Sequence, residues 1–186
     1  AVRDDLAGVF TNKDATPRER AWAARALGKS KNAAATVPIL IEQLKAGGQA
    51  VPRGAMLESL RKLTGLTMGA DAGMLLPARA QDAGKLSERW QSWWAANQGQ
   101  TPEEWRVAAL RSDKSKDRAA AARAIATAGQ TDAIPRLIEQ LKIEGAQGSG
   151  GTSAVREAIA NALATLTGRK LDYQPWQKPG MAFAEW

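Results

Sequence analysis

The sequence of 186 residues contains no cysteine and no histidine. The first absence excludes disulfide bonds and thiolate metal ligands, and the second removes the commonest general base and metal ligand of proteins. Carboxylates are the remaining candidates for acid or base catalysis, and these lie at positions typical of helix caps or helix surfaces: Asp4, Asp5, Glu42, Glu103, Glu104 and Glu139. We therefore predict no catalytic residue, no metal site and no cofactor.

Phenylalanine and tyrosine are also scarce, with two and one residues, although the chain has seven tryptophans. Alanine is the most frequent apolar residue, and alanine favours close-packed helices over sheet. No apolar run approaches the roughly 18 residues that a membrane-spanning helix requires. These features predict an all-α protein without a transmembrane segment, built as one domain or as two small joined ones.

The first residue is Ala1 rather than methionine. This start suits either a chain from which an export signal was removed or a shortened chain. It slightly favours an exported, periplasmic protein, with a cytoplasmic protein as the alternative.

An internal duplication organises the chain. The five residues IEQLK occur at 41–45 and return at 138–142, about a hundred residues later. Two further segments recur at a similar spacing, an alanine- and arginine-rich stretch at 20–27 and 118–125 and Leu-Thr-Gly at 63–65 and 166–168. We predict two tandem copies, residues 1–99 and 100–186, that form one continuous array.

Helix signals follow the same order in both copies. Capping boxes, in which a threonine and a glutamate three residues later satisfy each other's backbone N–H, are predicted at Thr16 and Thr101. One apolar stripe predicts the central helix of each copy: Val37, Leu40, Ile41 and Leu44, and then Ile134, Leu137, Ile138 and Leu141. Small residues predict an irregular connection over 69–84 and a flexible linker over 145–151. We expect eight to ten helices.

No pair of these amphipathic helices has enough apolar surface to stand alone, and stacking in a helical solenoid resolves that situation. The alanine- and arginine-rich helix, followed by Val37-Pro38 or Ile134-Pro135 at the start of the next helix, resembles the HEAT-repeat family, taken to include the HEAT-like repeats of bilin lyases. The resemblance implies a HEAT-like α-α superhelix that acts as a scaffold or adaptor and is not an enzyme. The unit exceeds the roughly 40 residues of an ordinary HEAT repeat because it adds a loop and a tryptophan-rich helix.

The tryptophans are candidates for contact with a partner, since tryptophan is enriched in protein interfaces. Trp90, Trp93 and Trp94 share one helical face and are predicted to pack in the core. Trp22 aligns with Ala120 of the second copy, so packing of the repeat does not require it and we expect it to be exposed. The other candidates lie in the proline-containing tail, where packing within the tail is the competing interpretation: Trp176, Phe183 and Trp186.

A basic face supports an alternative. The formal net charge is +7, and cations recur in both copies: Arg18, Arg25 and Lys29, and then Arg111, Lys114 and Lys116. A basic track beside aromatic residues would suit a nucleic-acid backbone, and it resembles in outline the HEAT-like DNA glycosylases. Glu19, Asp113 and Asp117 interrupt the track, which favours a solvated face with local ion pairs.

The sequence thus predicts a non-catalytic protein-protein interaction scaffold, or an accessory subunit of a larger assembly. We expect its partners to be proteins, including subunits of a large or membrane-associated complex. Nucleic-acid binding is the alternative.

Overall fold

The computed structural model of the chain describes residues 2–45, 50–69, 80–146 and 153–169. These ranges contain no β-strand, and their helices are as follows: α1 (Val2–Thr11), α2 (Pro17–Leu27), α3 (Ala33–Lys45), α4 (Ala50–Thr64), α5 (Ala80–Asn97), α6 (Pro102–Ala109), α7 (Ser115–Thr127), α8 (Ile134–Ala146) and α9 (Ser153–Thr167). A short 3-10 turn, Thr131–Ala133, leads into α8. The described part of the protein is all-α, as predicted.

The two predicted capping boxes are present at the starts of α2 and α6. Glu19 accepts a hydrogen bond from the Thr16 backbone N–H at 2.6 Å, while the Thr16 hydroxyl accepts from the Glu19 backbone N–H at 3.3 Å. Thr101 and Glu104 repeat this exchange at 2.7 and 3.3 Å. Both helices therefore begin where the local sequence alone says they should.

Two predicted breaks are wrong in part. The connection predicted over 69–84 is helical from Ala80, because a single exposed glycine at position 84 is tolerated within an otherwise helix-forming segment. The linker predicted over 145–151 begins too early, since α8 continues through Gly145 to Ala146 beyond the anchored side chain of Glu144. The remainders of both segments, 70–79 and 147–151, lie outside the described residues.

Four helices form a continuous row through the molecule, in which α2 packs on α4, α4 on α7, and α7 on α9. Each copy adds flanking helices in the same way. Helices α1 and α6 pack on α2 and α7, and helices α3 and α8 pack on α4 and α9. Packing between sequence neighbours along a row is the arrangement of a helical solenoid, so the predicted HEAT-like α-α architecture is confirmed.

The core consists of two apolar clusters. The first is centred on residues such as Leu40, Leu60 and Trp90, and the second on Ile125 and Ile159. Trp90 is fully buried, as predicted, while its helical neighbours Trp93 and Trp94 are partly buried against the same cluster. The rings of Trp93 and Trp94 both meet Trp105 of α6 edge-on. Aromatic packing therefore joins α5 to the first helix of the second copy.

The repeated Leu-Thr-Gly ends α4 and α9 with the same geometry. Gly65 and Gly168 have φ values of +79° and +70°, a conformation that glycine adopts without strain. The hydroxyls of Thr64 and Thr167 donate to backbone carbonyls four residues earlier at 2.8 and 2.7 Å. The duplicated tripeptide is thus a helix-ending motif, and we call it the Leu-Thr-Gly cap.

Candidate interaction surfaces

The junction between the copies is formed where the Leu-Thr-Gly cap of α4 meets α6 and α7. Asp117 at the start of α7 is buried and accepts a hydrogen bond from the Thr67 backbone N–H at 2.7 Å and another from the Thr67 hydroxyl. Arg106 of α6 is also buried and donates to the Leu63 carbonyl oxygen at 3.1 Å. These charge-assisted contacts satisfy backbone groups that the end of α4 would otherwise leave unpaired.

Helix α7, which packs on α4, has a buried stripe whose aligned residues on α2 are not fully buried. Asp117, Ala120 and Ala124 are buried on α7, and they lie at helical spacings of three and four residues. Helix α7 packs on α4, α6 and α9, whereas α2 packs on α1 and α4, so the extra neighbour of α7 is the end of the preceding copy.

The aligned residues of α2, which we call the open stripe, are Glu19, Trp22 and Ala26. Glu19 is exposed, Ala26 is half-buried, and the Trp22 side chain is 64% exposed. The exposure expected for Trp22 from its alignment with Ala120 is therefore present, and no described helix takes on α2 the position that α4 takes on α7.

The other candidates for partner contact cannot be placed in the same way. Trp176, Phe183 and Trp186 lie outside the described residues. Two further large apolar side chains are exposed, Val51 on α4 and Ile143 on α8. Since these two are aliphatic and lie on separate helices, Trp22 is the largest apolar side chain exposed in the described part of the chain.

The six candidate cations are all exposed, but the structure does not gather them into one track. Arg111 lies 3.7 Å from the Glu139 carboxylate and lines a groove of about 470 Å³ together with Glu103, Glu104 and Asp132. Lys114 lines a different groove, of about 590 Å³, with Lys85 and Arg89. Adjacent cations of the second copy therefore face different electrostatic surroundings.

In the first copy, Arg25 lies near the carboxylate of Glu58 on α4. The pKa of the Glu58 carboxyl is lowered by its hydrogen bond to Lys62 first, and further by the nearby charges of Arg25 and Arg61. Arg18 and Arg25 lie on α2, and Lys29 follows its end. Local ion pairs of this kind reduce the positive potential that Arg25 presents to solvent.

Sequence reasoning missed the role of two buried charges. Asp117 was expected to interrupt a basic face, whereas it closes the junction, and Arg106 had no predicted role. The burial of Asp117 depends on Thr67, which is 50 residues away in the chain. The available signal was that Asp117 aligns with Glu19 but has no threonine three residues earlier with which to form a capping box.

The described residues contain no group of three or more acidic side chains placed to hold a metal ion. None of the described helices is both long and apolar enough to cross a membrane.

These features define a helical repeat protein in which one stripe of α2 is not covered by a described helix. A family model described as PBS lyase HEAT-like repeat matches residues 19–46 and 117–142, which run from α2 into the segment after α3 and from α7 into α8. One stretch in each copy therefore matches a HEAT-like repeat, as the sequence resemblance indicated. No curated protein and no solved structure matches the chain significantly.

Proposed function

We propose that this protein is a non-catalytic interaction scaffold, or an accessory subunit of a larger assembly, and that it docks a helical partner on the open stripe of α2. The observation that carries this proposal is the contrast between two aligned stripes. Asp117, Ala120 and Ala124 are buried on a helix that packs on α4, while Glu19 and Trp22 are exposed. The repeat thus has a helix-receiving side, and one such side is uncovered among the described residues.

The chemistry of the open stripe favours a partner protein. A tryptophan side chain combines a large apolar area with low conformational entropy, and such residues dominate the binding energy of many interfaces. Glu19 and the half-buried Ala26 flank Trp22 on the same helical face, so the stripe offers an apolar centre with a charged border. HEAT-like repeats commonly act as interaction scaffolds, which agrees with this arrangement.

Photo-crosslinking from position 22 tests this proposal. A photoreactive phenylalanine analogue at position 22 should capture a specific protein in the native source, whereas the same analogue at the exposed position 123 of α7 should not. Trp22→Lys should weaken binding of the captured protein by roughly thirtyfold or more, since truncating a central tryptophan typically costs about 2 kcal/mol. Equal capture from both positions, or none from position 22, would contradict the proposal.

Nucleic-acid binding is the second candidate function, and one groove favours it. The Arg89 Nη1 and Lys114 Nζ atoms lie 3.3 and 4.0 Å from the position that a Cβ on Gly69 would take, so two cations converge on one point. Lys85 lines the same groove, although Glu88 and Asp117 line it as well. A DNA backbone neutralises such a cluster and releases counterions.

Salt-dependent retention on DNA or heparin tests this candidate. Lys114→Gln should lower the salt concentration needed for elution, whereas Arg111→Gln should have little effect because Arg111 lies among carboxylates. If the chain is not retained at about 0.1 M salt, where the Debye length is about 10 Å, then electrostatic nucleic-acid binding is excluded.

A further inference from the structure

Three cations of the first copy run beside the exposed tryptophan of α2. Arg18, Arg25 and Lys29 follow one another at spacings of seven and four residues, and Trp22 lies between the first two. Such spacings place side chains on one face of a helix. The backbone of Gly28 keeps helical angles beyond the last residue of α2, so Lys29 continues the same face. The three cations, which we call the basic line, are exposed, as is Trp22.

Nearby carboxylates leave the basic line with an excess of positive charge. No member of the line belongs to an ion pair with a described residue of the first copy. The Glu58 carboxylate lies near Arg25, but it pairs with Lys62 at 2.8 Å. Arg61 is close to the same carboxylate. One negative charge is therefore shared among three positive ones at the border between α2 and α4.

The second copy does not repeat this arrangement. The counterpart of Trp22 is Ala120, which is buried on a helix that packs on α4. The counterpart of Lys29 is Thr127, which carries no charge. Among the described helices, an exposed tryptophan beside a line of cations therefore occurs only on α2. Packing of the repeat does not require this combination, since the second copy folds without it.

The two sides of Trp22 differ in charge, and this difference favours a protein over a nucleic acid. At 3.6 residues per turn, the basic line lies on one side of Trp22, whereas Glu19 and Ala26 of the open stripe lie on the other. A nucleic-acid backbone carries negative charge along its whole length, so Glu19 would repel it. An amphipathic helix has two different edges on either side of an apolar seam. Such a helix can meet cations on one side of a tryptophan and a carboxylate on the other.

We propose that the partner of the open stripe is an amphipathic helix with one acidic edge, which pairs with the basic line while its apolar seam covers Trp22. This inference rests on the proposed function, since it names the chemistry of the partner of the same surface. The basic line extends over about 16 Å at 1.5 Å per residue, which is about three helical turns. Acidic residues repeated every three or four positions along the partner match the spacing of the cations. Such charge complementarity makes the association depend on salt.

Fluorescence anisotropy with a designed peptide tests this inference. The labelled probe is a helix-forming peptide of about 18 residues, or roughly five turns, with a leucine seam, glutamates along one edge and lysines along the other. A second peptide has lysine in place of every glutamate, and a third has alanine in place of every leucine. The full chain should bind the first peptide saturably and the other two at least roughly tenfold more weakly.

Substitutions separate the two parts of the surface. Trp22→Ala should weaken binding of the acidic peptide by roughly thirtyfold without changing its salt dependence. Arg25→Gln should weaken binding by roughly two- to fivefold and should lessen the salt dependence. Arg123→Gln is the matched control, because Arg123 aligns with Arg25 and is exposed on α7, and it should bind as the wild type does. Circular dichroism and thermal unfolding check that each variant is folded.

Three results would overturn the inference. Equal losses in Arg25→Gln and Arg123→Gln would show that the peptide is attracted only by the net positive charge of the chain. Equal binding of the acidic and the all-lysine peptides would show that the acidic edge is not recognised. A single-stranded oligonucleotide of the same net charge is the last arm. If it binds more tightly than the acidic peptide and Trp22→Ala weakens that binding, the surface takes nucleic acid instead.

The outcomes also separate this inference from the proposed function. If position 22 captures a protein while the acidic peptide binds no better than the all-lysine peptide, the scaffold proposal stands and the acidic edge is refuted. If position 22 captures nothing and no peptide binds, both proposals fail.

Discussion

The two copies use one aligned acidic position in different ways. In the first copy, Glu19 closes the capping box of its own helix with Thr16 and remains exposed. In the second copy, Asp117 is buried and binds Thr67 of the preceding copy. One carboxylate oxygen of Asp117 binds Thr67, while the other accepts a hydrogen bond from the Ser112 hydroxyl at 3.2 Å, just before α7 begins. The duplicated sequence thus conserves an acid whose partner changes with the presence of a neighbouring repeat.

An aligned arginine shows a second difference between the copies. Arg20 and Arg118 both donate to a backbone carbonyl in the loop that precedes their helix, at 3.0 and 2.9 Å. Arg118 also forms a two-pronged ion pair with Glu144 of α8, whose side chain is 1% exposed. The residue that aligns with Glu144 is Gly47. The Arg20 Nε atom is buried and has no hydrogen-bond partner among the described residues.

Removing the carboxylate of this ion pair should have the largest effect. Glu144→Ala leaves the mostly buried Arg118 guanidinium without its counter-charge, and breaking a buried pair in this way typically costs about 3–5 kcal/mol. The free energy of unfolding from urea denaturation measures the loss. Glu139→Ala is the matched control on the same helix, and it should cost less than about 1 kcal/mol because its pairs with Arg111 and Arg136 are exposed. Similar losses for the two variants would show that the buried pair of Arg118 and Glu144 stabilises the fold no more than the exposed pairs of Glu139 do.

The two Leu-Thr-Gly caps give a direct comparison of a covered and an uncovered glycine. Gly65→Ala should cost about 2–4 kcal/mol, because it combines a positive φ with an overpacked contact against Ala121. In Gly168→Ala, only the strain of a positive φ destabilises the fold, so the substitution should cost about 1–2 kcal/mol. Urea denaturation of both variants checks the difference. Equal losses would mean that the junction relaxes around the added methyl group.

Substitution of Asp117 should destabilise the fold more than substitution of the aligned Glu19. The difference should be smaller than the one between the two glycines. Asp117→Asn removes the charge from hydrogen bonds to Thr67 and should cost about 1–2 kcal/mol. Glu19→Gln should be nearly neutral, since glutamine also completes a capping box. Thermal unfolding of the two isosteric variants compares them. A larger loss at Glu19 would place the greater contribution at the helix cap instead of the junction.

Local sequence predicted much of the fold because much of the fold is local. The capping boxes at Thr16 and Thr101 and the caps at Gly65 and Gly168 each depend on residues within one helical turn. The exposure of Trp22 could also be predicted, since a duplicated sequence supplies its own comparison.

The features that sequence reasoning missed depend on distant partners. The burial of Asp117 requires Thr67, and that of Glu144 requires Arg118, 26 residues away. Nothing in the charge or spacing of a single carboxylate distinguishes a buried junction from a solvated surface. The open stripe also depends on distant elements, since it follows from the difference between the packing neighbours of α2 and those of α7.

The smallest expected effect concerns the symmetry of the two capping boxes. The pKa values of the Glu19 and Glu104 carboxyls are lowered, chiefly by hydrogen bonds from the backbone N–H groups of Thr16 and Thr101 and then by bonds from their hydroxyls. A folded pKa below the unfolded value stabilises the fold above the ordinary glutamate pKa of about 4.3. That contribution is lost as the pH falls through the lowered folded pKa.

Carboxyl-carbon NMR titration of the folded protein measures both groups. Glu19 and Glu104 should titrate together, below the ordinary glutamate value, because both boxes are exposed and have the same geometry. The free energy of unfolding falls as the pH is lowered. Glu19→Gln and Glu104→Gln should each make this fall smaller, and by a similar small amount. Removing the Thr16 hydroxyl in Thr16→Ala should raise the Glu19 pKa and leave that of Glu104 unchanged. Midpoints at the ordinary value for both groups would show that the boxes open in solution, and a difference between them would show that the neighbouring repeat influences even this local motif.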